Sequence, residues 1–217
     1  MAQSPANQIK VLKPGIILGF LSNFKPTADN ECFQFTDVHC SGQEVENLAK
    51  AMDEVKDSER IDFSNNNLTD VLAMKDLTRI MHLNLSNNRI KNVALFTLEE
   101  CFLSLKTLDI SLNKFVEFPA IKCPKLEYLN ISGNKLEKVN EGWAGHENLR
   151  KLNSVDNKFK SLAPFKVMPK LEELYLAQNN IGSLAGWESL PQLKILHLRR
   201  NRIDTVGEEL PPLDELV

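Results

Sequence analysis

The chain has little of what catalysis and cofactor binding usually need. Its nine glycines form no glycine-rich phosphate loop and no nucleophile elbow. Its four histidines, His39, His82, His146 and His197, lie far apart in sequence, with no His-Glu-x-x-His or comparable metal-ligand spacing. Cys32, Cys40, Cys101 and Cys123 contain no Cys-x-x-Cys pair, and their scatter predicts reduced thiols. A formal net charge of −3 gives no reason to expect direct nucleic-acid binding. No apolar run is long enough to span a bilayer, and Ile16–Leu21 is too short and glycine-interrupted for a signal peptide. The expectation is a protein without enzymatic activity, cofactor or metal, working off the membrane.

What the chain has is periodicity. Asn66, Asn88, Asn113, Asn134, Asn157, Asn179 and Asn201 follow one another at steps of 22, 25, 21, 23, 22 and 22 residues. Each sits in the frame Leu-x-x-Leu-x-Leu-x-x-Asn-x-Leu, as in Leu171, Leu174, Leu176, Asn179 and Ile181. Five apolar positions in seven repeats give 33 matches of 35, where chance at 42% hydrophobic content gives about 15, so the frame is real. The two exceptions are Ser58 and Ser154. This is the leucine-rich repeat signature.

The frame predicts an α/β leucine-rich repeat solenoid: a curved, parallel, concave β-sheet with short helices or 3-10 turns on the convex side. Alternation around Leu174 and Leu176 reads as a strand with one face buried. The asparagines read as a structural ladder that pairs backbone groups otherwise orphaned between stacked coils. Apolar residues at every third position after Asn66, Asn157 and Asn179 leave room only for 3-10 turns. Leu95, Leu98, Phe102 and Leu105, in the longer repeat after Asn88, fit an α-helical stripe. Pro119, after Phe118, and the 21-residue step predict an extended crossing in the next repeat.

Three segments follow from this reading. Residues 1–28 form an N-terminal arm. Residues 29–57 form a degenerate capping repeat, with a helix over about 43–56 that opens on a capping box, Ser41 to Glu44, and carries Val45, Leu48, Met52 and Val55 at helical spacing. Residues 58–217 hold seven repeats and the start of an eighth at Leu213. A solenoid cut there exposes its apolar end, so further repeats or a partner are expected to cover it.

Outward strand positions supply the candidate binding face. In the first four repeats they are small and polar: Asp62, Asn84, Asp109 and Asn130, with Ser64, Ser86, Ser111 and Ser132. From the fourth repeat onward the face changes to Tyr128, Lys151, Asn153, Tyr175, Ile195, His197, Arg199 and Arg200. The chain's two tyrosines are both there, and tyrosine and arginine are common interface anchors. Trp187 replaces an inward leucine and reads as core.

The wording of the later repeats is also informative. Pro169-Lys-Leu-Glu-Glu-Leu-Tyr-Leu-Ala-Gln-Asn179, Leu196-His-Leu-Arg199 with Asn201, Ile203, Asp204 and Thr205, and Pro124-Lys-Leu-Glu-Tyr-Leu-Asn-Ile-Ser-Gly-Asn134 resemble the leucine-rich repeat-containing protein 23 family. The resemblance covers roughly residues 59–217. It implies a non-catalytic structural adaptor in the radial spokes of motile cilia and flagella, a reducing cytoplasmic setting, and other spoke subunits as protein partners. Two further binding roles stand beside it: a regulatory subunit of a protein phosphatase, because the 22-residue repeats are similar to those of Sds22-like regulators, and a scaffold in a ribonucleoprotein.

Overall fold

A computed structural model describes residues 12, 17–26, 33–48, 51–92, 94–98, 101–140, 142–165, 167–205 and 215–216. Ten strands form one sheet: β1 (Leu21–Pro26), β2 (Phe33–His39), β3 (Arg60–Asp62), β4 (His82–Asn84), β5 (Thr107–Asp109), then β7 (Tyr128–Asn130), β9 (Lys151–Asn153), β10 (Glu173–Tyr175), β11 (Ile195–His197) and β12 (Glu215–Leu216). From β2 onward every pairing is parallel and each strand pairs with that of the next repeat in the same register, as in Leu152↔Leu174↔Leu196. β1 closes the N-terminal end as the antiparallel partner of β2, so residues 21–26, placed in the arm by the sequence, belong to the capping hairpin. Leu12 and Ile17 are also buried.

The core runs as one column between this sheet and the convex segments. Ile61, Leu83, Leu108, Leu129, Leu152, Leu174 and Leu196 are at most 2% exposed, and large phenylalanines fill the convex side. Phe118 meets Trp143 edge-on at 4.6 Å and Phe159 meets Phe165 at 5.1 Å. Ser58 and Ser154, the two exceptions to the frame, still point inward at 2% and 0% exposure, so the fold keeps its phase through them. Trp187 is half-buried against this core.

The asparagines make the same bonds in every repeat. Asn179 Nδ2 donates to the carbonyls of Ser154 and Leu176 at 2.9 and 3.1 Å, and its Oδ1 accepts the Phe159 N–H at 3.0 Å. Asn134 does the same for Ile110, Ile131 and Phe115. Each amide therefore ties two coils together through backbone groups that the β-ladder leaves unpaired.

The convex side departs from the sequence reading in two places. Every named helix among the described residues is a 3-10 turn. Over residues 43–56, only Met52–Val55 is helical; residues 43–48 run as an irregular, non-helical coil, and 49–50 lie outside the described residues. Val45, Leu48, Met52 and Val55 are buried, but by a coil. The capping box does not form. Asn66 Oδ1 accepts the N–H groups of Gln43 and Val45 at 3.0 and 2.9 Å, and Glu44 has φ 57°, outside the helical region. The second departure follows Asn88. Leu95 and Phe96 are buried in a 3-10 turn at Ala94–Thr97, while Leu98 is 39% exposed. The Phe96 carbonyl is taken by the Lys122 N–H of the next repeat, so a continuing helix would lose its own acceptor. The repeat after Asn113 does cross in extended form: β6 (Glu117–Phe118) pairs in parallel with β8 (Lys138–Val139) in a second, two-stranded sheet.

Candidate functional site

The outward faces of the strands divide the sheet into two halves of different chemistry. In the first four repeats the polar groups are already engaged. Asp62, Asn84, Asp109 and Asn130 each accept, through Oδ1, the N–H of the serine two residues on, at 2.8–3.2 Å. Ser86, Ser111 and Ser132 add their hydroxyls to the same oxygens. These are Asx turns that end each strand, and the spacing Asp/Asn-x-Ser was their sequence signal. Asn153 makes the same turn to the Val155 N–H, so it serves the strand end as well as the face.

The turn residue that follows is left-handed in all seven repeats. Asn65, Asn87, Leu112, Asp156, Gln178 and Arg200 have φ between 53 and 59°, and Gly133 has 64°. Arg200 is thus placed by the turn, at the edge of the sheet and not on its face. Arg199 precedes it and is exposed.

The other half holds a connected cluster. Glu173 Oε2 accepts from Tyr175 Oη at 2.7 Å and from Lys151 Nζ at 2.6 Å. Lys151 Nζ also lies 5.0 Å from the centre of the Tyr175 ring, within cation–π reach. The His197 ring packs on Tyr175 with centroids 4.7 Å apart. Parallel pairing explains the assembly: Lys151 faces Glu173, and Tyr175 faces His197, across adjacent strands. Tyr128 faces Lys151 from β7, and Ile195 faces Glu173 from β11, both half-buried.

The electrostatics follow the contacts. Hydrogen bonds from Lys151 and Tyr175 hold the Glu173 carboxyl below its usual range. The bond to Glu173 raises both the Lys151 ammonium and the Tyr175 hydroxyl. Burial raises the Tyr128 hydroxyl. Glu173 was missed by the sequence reading, which weighed tyrosine, histidine and basic residues. Its outward strand position between Lys151 and Ile195 was the available signal.

At the other end, a hollow of about 250 Å³ lies between Arg60, Asp62, His82, Asp109 and Tyr128. His82 Nδ1 sits 2.9 Å from Thr107 Oγ1, and burial, then Arg60, lowers its pKa. Among the described residues no group of three or more His, Cys, Asp or Glu side chains could hold a metal ion. Among them, too, no helix is long and apolar enough to cross a membrane.

Comparison with known proteins agrees with the geometry. Residues 169–214 match the family model described as Leucine Rich repeats (2 copies), and residues 122–139 match a Leucine Rich repeat model. The fold is that of a leucine-rich repeat solenoid. Over 125 residues, 54% of the chain, it is 33% identical to Tsukushi of Gallus gallus, and it spans about a third (34%) of that relative's length. Its fold is similar to internalin C2 from Listeria monocytogenes, with a TM-score of 0.72 at 25% identity over 84% of this chain and 80% of that one. It is also similar to a chain in the crystal structure of the LRIM1/APL1C complex, with a TM-score of 0.68 at 19% identity over 97% of this chain and 37% of that one. Leucine-rich repeat folds are typically non-catalytic scaffolds that mediate protein–protein interactions.

Proposed function

We propose that the chain is a structural adaptor of an axonemal radial spoke in motile cilia or flagella, and that it holds a spoke protein on the concave face of its last four repeats. The observation that supports this reading is the Lys151–Glu173–Tyr175–His197 cluster. Its four side chains fix one another before a partner arrives, so little rotamer freedom remains to be lost on binding. An aromatic anchor held in this way is the kind of residue that dominates interface energetics. Arg199, exposed at the same end, offers a cation to an approaching carboxylate. The radial-spoke assignment rests on the resemblance carried by residues 59–217, and it places the protein in the reducing environment of the axoneme.

The test is recovery of partners by tagged protein in ciliated cells. Wild-type protein is expected to bring down radial spoke subunits, and the variant carrying Tyr175→Ala and Arg199→Glu to lose them while retaining its fold. Recovery of a phosphatase catalytic subunit or an RNA-binding protein in place of spoke subunits would refute the assignment. Full assembly of the double variant would move the binding site off this face.

A further inference from the structure

The edge of the solenoid at the C-terminal ends of the strands carries a file of cations that the concave face does not use. Arg89, Lys114, Lys135 and Lys158 occupy the same position, next after the ladder asparagine, in four consecutive repeats. Their backbones are pinned: each N–H bonds a carbonyl of the preceding coil, Leu68, Ile90, Phe115 and Leu136 respectively, at 2.8–2.9 Å. All four side chains are exposed. Among the described residues none of the four forms an ion pair. The nearby carboxylates Glu117 and Glu137 are bridged to Lys138 and Lys160 instead, at 3.7 and 2.5 Å. Lys91 adds a further charge at the same edge. Asp156, in the turn before Lys158, and Glu137, which also feels Lys158, offset part of this charge, and the cations of the edge still outnumber its carboxylates.

A second, independent feature sits in the middle of the file. Leu112 is the one apolar residue among the seven left-handed turn positions, at φ 54°, and it is 54% exposed. That conformation disfavours a leucine. Its side chain lies over Gly133, where an added Cβ would stand 2.5 Å from Leu112 Cδ2. Val116, four residues on, is 63% exposed. Backbone strain at an exposed apolar side chain is a recurrent mark of functional surfaces.

We infer that this edge, over the second to fifth repeats, docks an acidic segment of a partner protein in which carboxylates flank one apolar side chain. The carboxylates pair with Arg89, Lys114, Lys135 and Lys158, and the apolar residue rests on Leu112 and Val116. A nucleic acid fits less well. Single strands need aromatic platforms for base stacking, and the phenylalanines of this stretch, Phe115 and Phe159, are buried. The site is separate from the concave cluster, so either can fail without the other.

The probe is a fluorescein-labelled peptide of glutamates with one central leucine, titrated against the full chain by fluorescence anisotropy. Lys114→Glu with Lys135→Glu should weaken binding roughly tenfold or more, and added salt should weaken the wild-type complex, since exposed charges are screened. Lys114→Gln with Lys135→Gln should give an intermediate loss with the fold intact by circular dichroism. Leu112→Asn, which places there the residue that holds the same left-handed turn at Asn65 and Asn87, should keep the fold by circular dichroism and still weaken the probe several-fold, which separates docking from stability. Tyr175→Ala with Arg199→Glu should leave the probe affinity unchanged. Equal affinity for the wild type and the charge variants, loss of binding only in the concave variant, or tighter binding of a single-stranded oligonucleotide than of the peptide would each overturn the inference.

Discussion

Replacing one ladder asparagine should cost less than its number of hydrogen bonds suggests, and replacing two neighbours should cost more than the sum. In Asn134→Ala the bonds to Ile110, Ile131 and Phe115 are lost. Only the Phe115 N–H is left with no partner. The Ile110 carbonyl keeps its bond from Asn113 at 3.2 Å, and the Ile131 carbonyl keeps its bond from Asn157 at 3.1 Å. One orphaned buried group costs about 1–3 kcal/mol. Asn157→Ala likewise orphans the Leu136 N–H, and the Ile131 carbonyl falls back on Asn134. The double variant removes both donors to Ile131, a third orphan that neither single variant creates. Its loss should exceed the sum of the singles by about another 1 kcal/mol or more. Urea denaturation of the wild type, both single variants and the double variant measures this directly. Strict additivity would show that the shared carbonyl is not the coupling element, and wild-type stability in both singles would remove the ladder as a source of stability.

Two other perturbations test the fold from different sides. Leu176 is fully buried between coils, so Leu176→Ala should cost about 2–5 kcal/mol from lost burial and a residual cavity; a loss below about half a kilocalorie would mean the strand is misplaced. Acid should destabilise the protein before its carboxylates titrate. Burial lowers the pKa of His82 and of His146 beneath the ordinary value of 6.5, so below that pH the unfolded chain takes up protons that the folded chain refuses. Stability is then complete above 6.5 and declines as pH falls through the folded values. The urea midpoint should fall between about pH 7 and about pH 5, and His146→Gln should flatten part of that slope; a midpoint that is flat or rises toward acid would contradict the burial of both rings.

Periodicity alone determines the architecture. A repeat that cannot bury its own apolar face must stack, and the spacing of Leu174, Leu176 and Asn179 therefore fixed the strand, its inward face and the turn that follows. The same logic made Ser154 an inward residue despite its polarity. Local patterns that imitate helices were misleading for one reason. Ser41 to Glu44 and the stripe Leu95, Leu98, Phe102 and Leu105 satisfy helical rules within a single coil, but their backbone partners, Asn66 and Lys122, lie more than twenty residues away. The binding face was half legible. Outward positions could be named from alternation, so Lys151, Tyr175 and His197 were found. That Glu173 locks them together depends on which strands lie side by side. The Asx turns that consume the polar groups of the first four repeats, and the left-handed turn that holds Arg200, are local, and the Asp/Asn-x-Ser spacing carried the first of them in the sequence. The cation file and Leu112 belong to the same class as Glu173. Sequence records them as single residues spaced 21 to 25 apart, and only the stacking of coils brings them onto one edge.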